Sequence, residues 1–300
     1  MKSSLTAASQ DTTQMMDRSQ RAAKLGQRLL GSALKHAVLA ALSVLFLVPW
    51  VWSLSTSLKD LRQVFAFPPT WIPNPVLIEN YAMVFVKYPF QHYAMNTVVI
   101  AVANVVGALI SNTLIAYSLS CLRWRGQNIV FILVLATMMV PYQVTMIPLY
   151  IVFRELGWLD TYLPLIVPLF FGSPYFIFLL RQFFNALPRE LIEAAEVDGA
   201  NEFQILVRVI LPLAKPALAV VALFQFISSW NDFLGPLIYI NESARFTIAI
   251  GLRQMQANVG VSDVNLIMAA SLMTTIPVIA IFFFAQKTFI QGITMTGLKG

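Results

Sequence analysis

Charge is scarce in this chain. Asp, Glu, Lys and Arg make up 11% of its 300 residues, under half of the roughly 25% usual for a soluble domain. Cysteine is nearly absent: the single Cys121 excludes an internal disulfide and a thiolate cluster. The 2 histidines, His36 and His92, are far apart, each near an expected membrane boundary, and join no ligand or catalytic pattern. No stretch reads G-x-x-x-x-G-K-[ST]. The nearest, residues 292–297, is followed by Leu298 before Lys299, with no Ser or Thr after it. H-E-x-x-H, G-x-S-x-G and Cys/His clusters are also missing. The chain is therefore read as no enzyme, with no catalytic residue, metal site or cofactor of its own.

What it has in abundance is apolar length. Hydrophobic residues make up 58% of the sequence, and runs of about 20 recur, enough to span a bilayer as helices. In lipid each span must satisfy its own backbone, which forces helices and an all-α membrane protein. Hydropathy predicts six transmembrane helices at residues 36–58, 93–121, 128–153, 161–184, 213–240 and 264–289. Prolines 49, 141, 148, 164, 168, 174, 236 and 277 fall inside them, predicting kinked helices around a cavity or only the ordinary enrichment of proline in membrane helices. Residues 1–35 read as a tail, Ser/Thr/Gln-rich at first and basic over 21–35, where an interfacial helix is possible. Residues 59–92 form a loop, residues 93–289 a five-helix core, and residues 290–300 a second tail.

The net charge of +6 does not imply a nucleic-acid partner. With the N-terminus inside, about fourteen of the 20 Lys and Arg fall on the cytoplasmic side, the asymmetry expected when both termini are cytoplasmic. The loop 59–92 is then outside. Its Phe65, Phe67, Pro68, Pro69, Trp71 and Tyr81 make it either an anchor in the lipid interface or a landing surface for an external partner.

One polar island stands out, residues 185–216, NALPRELIEAAEVDGANEFQILVRVILPLAKP. Pro188 suits a first helical turn. Leu191, Ala194, Ala195 and Val197 fall roughly on one side, with Glu190, Glu193 and Glu196 on another. Gly199 follows the last turn as an αL terminator, and Asn201 with Gln204 makes a capping box for a second helix. Pro212 and Pro216 bend or restart that helix. A small, capped, alanine-faced helix at a membrane surface is a docking knob; the alternative is a solvated loop with helix caps.

Glu193-Ala194-Ala195, Asp198-Gly199-Ala200, Ile210-Leu211-Pro212 and Pro216 resemble the EAA motif of the inner-membrane permease subunits of ABC importers, in the form of the carbohydrate importers of the MalG-like group. Ser57-Leu58-Lys59, Trp230-Asn231-Asp232-Phe233-Leu234 and the end of the chain agree with it, and the likeness covers residues 36–300. The resemblance implies a type I ABC importer permease fold in a prokaryotic plasma or inner membrane. It implies that Glu193, Ala194, Ala195, Asp198, Gly199 and Ala200 couple to an ATPase. It also implies the partners: a second homologous permease, a dimer of ATPase subunits carrying ATP-Mg, an external substrate-binding protein and membrane lipid. The solute is expected to be a sugar or oligosaccharide.

Within the spans, Asp232 is the outstanding charge, and a carboxylate at that depth needs a cavity or a partner. One reading makes Trp230, Asn231, Asp232, Gln225 and Asn104 pathway residues, Asp232 accepting from sugar hydroxyls and Trp230 stacking on a pyranose. The other gives Asp232 a bond to backbone freed near Gly235 and Pro236, and makes Asn104 and Gln225 interhelical glue. Two rival functions follow from the same residues: an ion-coupled secondary transporter protonated at Asp232, and a membrane scaffold that moves nothing.

Overall fold

The computed structural model describes the backbone of residues 31–259 and 263–296. The expected tail over 1–30 and residues 297–300 lie outside the described residues, as does most of the basic segment 21–35. All regular structure among the described residues is helical. Two compact units divide the chain, Met1–Thr56 and Ser57–Gly300. The first carries most of α1 (Gly31–Ser57), 27 residues long, which begins five residues before the expected span.

The second unit continues with α2 (Glu79–Lys87), α3 (Phe90–Ser118), α4 (Gln127–Ala136) and α5 (Tyr142–Glu155). After these come α6 (Pro174–Asn185), α7 (Glu190–Val197), α8 (Glu202–Ile205) and α9 (Lys215–Trp230). The chain ends with α10 (Leu234–Tyr239), α11 (Ile248–Val259) and α12 (Val264–Thr296). Four described helical segments are long and apolar enough to cross a membrane, and two bent pairs bring the number to six if each pair is one span.

The third, fourth and fifth spans are not the single helices that hydropathy predicts. In the third, α4 runs on through a 3-10 turn to Met139, and this stretch meets α5 at 96° across residues 140–141. Pro141, which has no amide hydrogen, stands at the start of α5. The fourth is assembled from a helical turn Leu163–Ile166, a 3-10 segment Val167–Phe171 and α6, with Pro164, Pro168 and Pro174 each in the first turn of its piece. Gly172 joins the last two at φ +93, and a Cβ there would lie 2.7 Å from Ile115 Cδ1. The fifth stops at Trp230, turns through residues 231–233 and restarts as α10.

α3 is the central pillar. Its 29 residues extend about 43 Å at 1.5 Å each, and it packs against α9, α6 and the 3-10 segment. An apolar cluster sits at each end. At the C-terminal end Tyr117 meets Phe176, Leu180 and Phe184 of α6, together with Ile205 and Ile210. At the N-terminal end Tyr93 and Ile100 meet Phe153, Trp230, Tyr239 and Phe246. The loop 59–92 is tied down at its root. Lys59 is buried and donates to the Thr70 carbonyl, while the Asn80 amide donates to the Ser57 and Lys59 carbonyls at 2.9 and 3.0 Å. Burial holds the Lys59 amine below its ordinary pKa. Farther out, Phe67 and Ile72 are exposed at 93% and 81%, the apolar surface that either an anchor or a landing site requires.

Candidate functional site

The polar island folds into two short helices at the end of the molecule where α3 finishes. Pro188 precedes α7 and its carbonyl accepts from the Leu191 amide at 3.3 Å. α7 ends in a Schellman arrangement. The Gly199 amide donates to Glu196 and the Ala200 amide to Ala195, both at 3.0 Å, with Gly199 at φ +80. The capping box is formed: Asn201 Oδ1 accepts from the Gln204 amide at 2.9 Å, and Gln204 Oε1 accepts from the Asn201 amide at 3.0 Å. α8 then widens into a π-helical turn, Leu206–Ile210, before Leu211–Leu213 and α9. Pro212 and Pro216 lack the amides that would bond to Arg208 and Pro212, which accounts for a loosened ladder. The two halves of this segment meet at 80°.

The faces of α7 differ from the sequence reading. The apolar set does not share one side. Ile192, Ala195 and Ala200 pack on the cluster around Tyr117 and Leu180, whereas Leu191, Ala194 and Val197 are exposed, Val197 at 88%. At 100° per residue the buried direction lies between positions 192 and 195, and positions 191, 194 and 197 rotate out of it. Gly199 faces outward, with no heavy atom of another described residue within 4 Å of a Cβ built on it. The acidic side turns towards the 119–126 loop. A cleft of about 320 Å³ there is lined by Arg123, Arg189, Glu193, Glu196 and Glu202 among others. Arg123 and Glu193 are 3.9 Å apart and both largely exposed, a geometry that contributes little. The Tyr117 hydroxyl donates to Glu202 Oε2 at 2.6 Å. Sequence spacing gave no sign of this bond or of Ile192 as the inward residue, because both depend on how α3 meets the knob.

The candidate pathway residues separate into groups. Asn104 of α3 and Gln225 of α9 both donate to Ser229 Oγ at 2.9 Å, a buried bridge between the two helices. Asn104 Oδ1 itself has no partner among the described residues. Trp230 is buried, stacks on Phe226 at 5.4 Å and donates to the Thr274 carbonyl at 3.0 Å. One edge of it and Asn231 line a cleft of about 220 Å³ with Thr274 and Thr275. Asn231 donates to the Ile227 carbonyl at 2.9 Å. Asp232 does not line that cleft. Its Oδ1 accepts from the Gly235 amide, in the first turn of the restarted helix α10, at 3.1 Å. A Cβ on Gly235 would stand 2.5 Å from Asp232 Oδ2, so glycine is what lets the carboxylate fold back. Among the described residues no group of three or more His, Cys, Asp or Glu is placed to hold a metal ion.

Comparison with known proteins agrees with this geometry. A family model described as "Binding-protein-dependent transport system inner membrane component" matches residues 112–295. The arabinooligosaccharides transport system permease protein AraQ of Bacillus subtilis (strain 168) is 36% identical over 262 residues, 86% of this chain and 92% of that protein. The sn-glycerol-3-phosphate transport system permease protein UgpE of Yersinia enterocolitica serotype O:8 is 35% identical over 266 residues, 86% of this chain and 94% of that protein. Among solved structures, a bacterial ABC transporter involved in the import of the acidic polysaccharide alginate is similar with a TM-score of 0.79 and 28% identity, over 87% of this chain and 96% of that one. The ion-coupled alternative centred on Asp232 finds no support in these similar proteins.

Proposed function

Because the chain belongs to the family of binding-protein-dependent transport system inner membrane components, we propose that it forms half of the membrane pathway of an ATP-driven importer for a sugar or oligosaccharide. It is a multi-pass inner-membrane permease and not an enzyme; hydrolysis belongs to a separate ATPase. In this reading the 185–201 helices seat in the ATPase, which carries ATP-Mg, and a second homologous permease completes the pathway. A substrate-binding protein lands on the outer surface, and the exposed Phe67 and Ile72 suit that contact. The solute class is supported by the relatives named for arabinooligosaccharides and by the alginate importer.

The observation that carries the reading is the knob itself. It is capped at both internal ends, anchored inward by Ile192 and Ala195, and presents Leu191, Ala194, Val197 and Gly199 outward, exposed among the described residues. Small residues at the centre of an apolar patch permit close approach of a partner backbone, and patches of this kind mark interfaces. Ala194→Trp tests it. The position is exposed, so the substitution should leave folding of the chain intact. Co-purification with the ATPase and ATP-driven uptake of an arabino-oligosaccharide or alginate oligosaccharide should both be lost. Normal assembly and uptake in this variant would overturn the docking assignment.

A further inference from the structure

We infer that the Tyr117–Glu202 hydrogen bond is a strut that makes the joint between the two knob helices move with span α3, so that both residues are positioning residues for coupling. The inference rests on the proposed docking role of the knob and adds the means by which a push there reaches the membrane. Tyr117 is 5% exposed in the last turn of α3, its ring held by the apolar cluster that includes Phe184, Ile205 and Ile210. Its hydroxyl reaches out of that cluster to Glu202 at 2.6 Å, a short bond of the kind made with a charged acceptor.

Glu202 is rigidly placed in its turn. It is the first residue of α8, directly after the Asn201 cap and three residues past the αL Gly199. The bond therefore joins the pillar of the bundle to the corner where the knob turns back. Little else polar does so on that side. The cleft of about 320 Å³ separates the 120–123 loop from α7, and the Arg123–Glu193 pair across it is long and solvated. Remove the hydroxyl, and the knob keeps its apolar footing through Ile192 and Ala195 but loses its directional tie to α3. ATPase closure then rocks the knob without shifting the span, and hydrolysis is no longer paced by the movement of α3.

The test uses the complete assembly in lipid nanodiscs and measures ATP hydrolysis with no solute or binding protein added. Tyr117→Phe and Glu202→Ala should each raise that rate by about tenfold, the lower end of what a hydrogen bond to a charged group is worth. The double variant should rise no further. Glu202→Gln, which keeps an acceptor oxygen, should return the rate towards wild type. A general loss of stability would lower hydrolysis, so a rise separates the strut from mere packing. An unchanged or reduced rate in Tyr117→Phe overturns the inference, as does a Glu202→Gln variant that behaves like Glu202→Ala. If Tyr117→Phe does not assemble, the two Glu202 variants decide by the same criterion. Failure of the wild-type chain to hold its ATPase at all would instead overturn the proposed function.

Discussion

Asp160 ties two loops together with one carboxylate. It is the one non-glycine residue with positive φ, 60°, among the described residues, a conformation that aspartate tolerates better than most side chains. Its amide donates to the Tyr239 carbonyl at 2.8 Å, and its Oδ1 accepts from the Glu242 and Asn241 amides at 2.9 and 3.0 Å. Those two amides, Glu242 first, hold its carboxyl below the ordinary range, with the Arg245 guanidinium adding to them. A depressed carboxyl stabilises the fold above the unfolded pKa, and that contribution is lost as pH falls through the lower folded value. Thermal stability should therefore drop in the acid range below the usual carboxylate pKa. Asp160→Asn, which still tolerates αL and keeps an acceptor, should show a shallower drop when melting is followed against pH. An unchanged pH profile would contradict the assignment. At this scale the sequence was a partial guide. The bond of Asp232 to backbone near Gly235, one of the two readings its depth and the neighbouring Pro236 offer, is the one formed; the break after Trp230 is not legible, because hydropathy runs the fifth span unbroken over 213–240.

Elements follow the same division between local and tertiary causes. The capping box at Asn201 and Gln204 and the αL stop at Gly199 were legible, since each is settled within about six residues. The prolines of the third and fourth spans were compatible with kinks or with ordinary enrichment, and the structure shows breaks beside them. Neither the 96° angle at residues 140–141 nor the three-part build of the fourth span was readable, because the neighbouring helices fix those directions. The facing of α7 was misread for that reason too: Ile192 is inward because the Tyr117–Leu180 cluster lies there. Helix α11 illustrates the tolerance such contacts leave. A Cβ on Gly251 would lie 2.2 Å from the Tyr93 ring of α3. Gly251→Ala should destabilise the protein by about 1–3 kcal/mol, the usual cost of overpacking a tight core. A melting curve measured in detergent checks it; stability equal to wild type would mean that α11 and α3 do not approach so closely.

At the scale of the whole molecule, an apolar bundle carries a polar knob whose outer surface is left uncovered by the described residues. Leu191, Ala194 and Val197 lie exposed on a segment stiffened by caps and footed on the core. Family membership makes the bundle an inner-membrane component of a binding-protein-dependent transport system. Composition pointed to a polytopic membrane protein, and with no P-loop in the sequence a second chain must hydrolyse ATP if ATP drives the transport. The solute was not legible in the same way. The buried polar side chains Asn104 and Gln225 both bond to the Ser229 hydroxyl, and nothing in their types names a sugar.

The most direct measurement is a photo-crosslink from position 197 in intact cells, with the photoreactive amino acid placed at the exposed Val197. The account predicts one dominant product, the chain joined to its ATPase subunit, strengthened when ATP turnover is trapped with vanadate. Absence of that product, or a product with a protein outside the membrane instead, would contradict it.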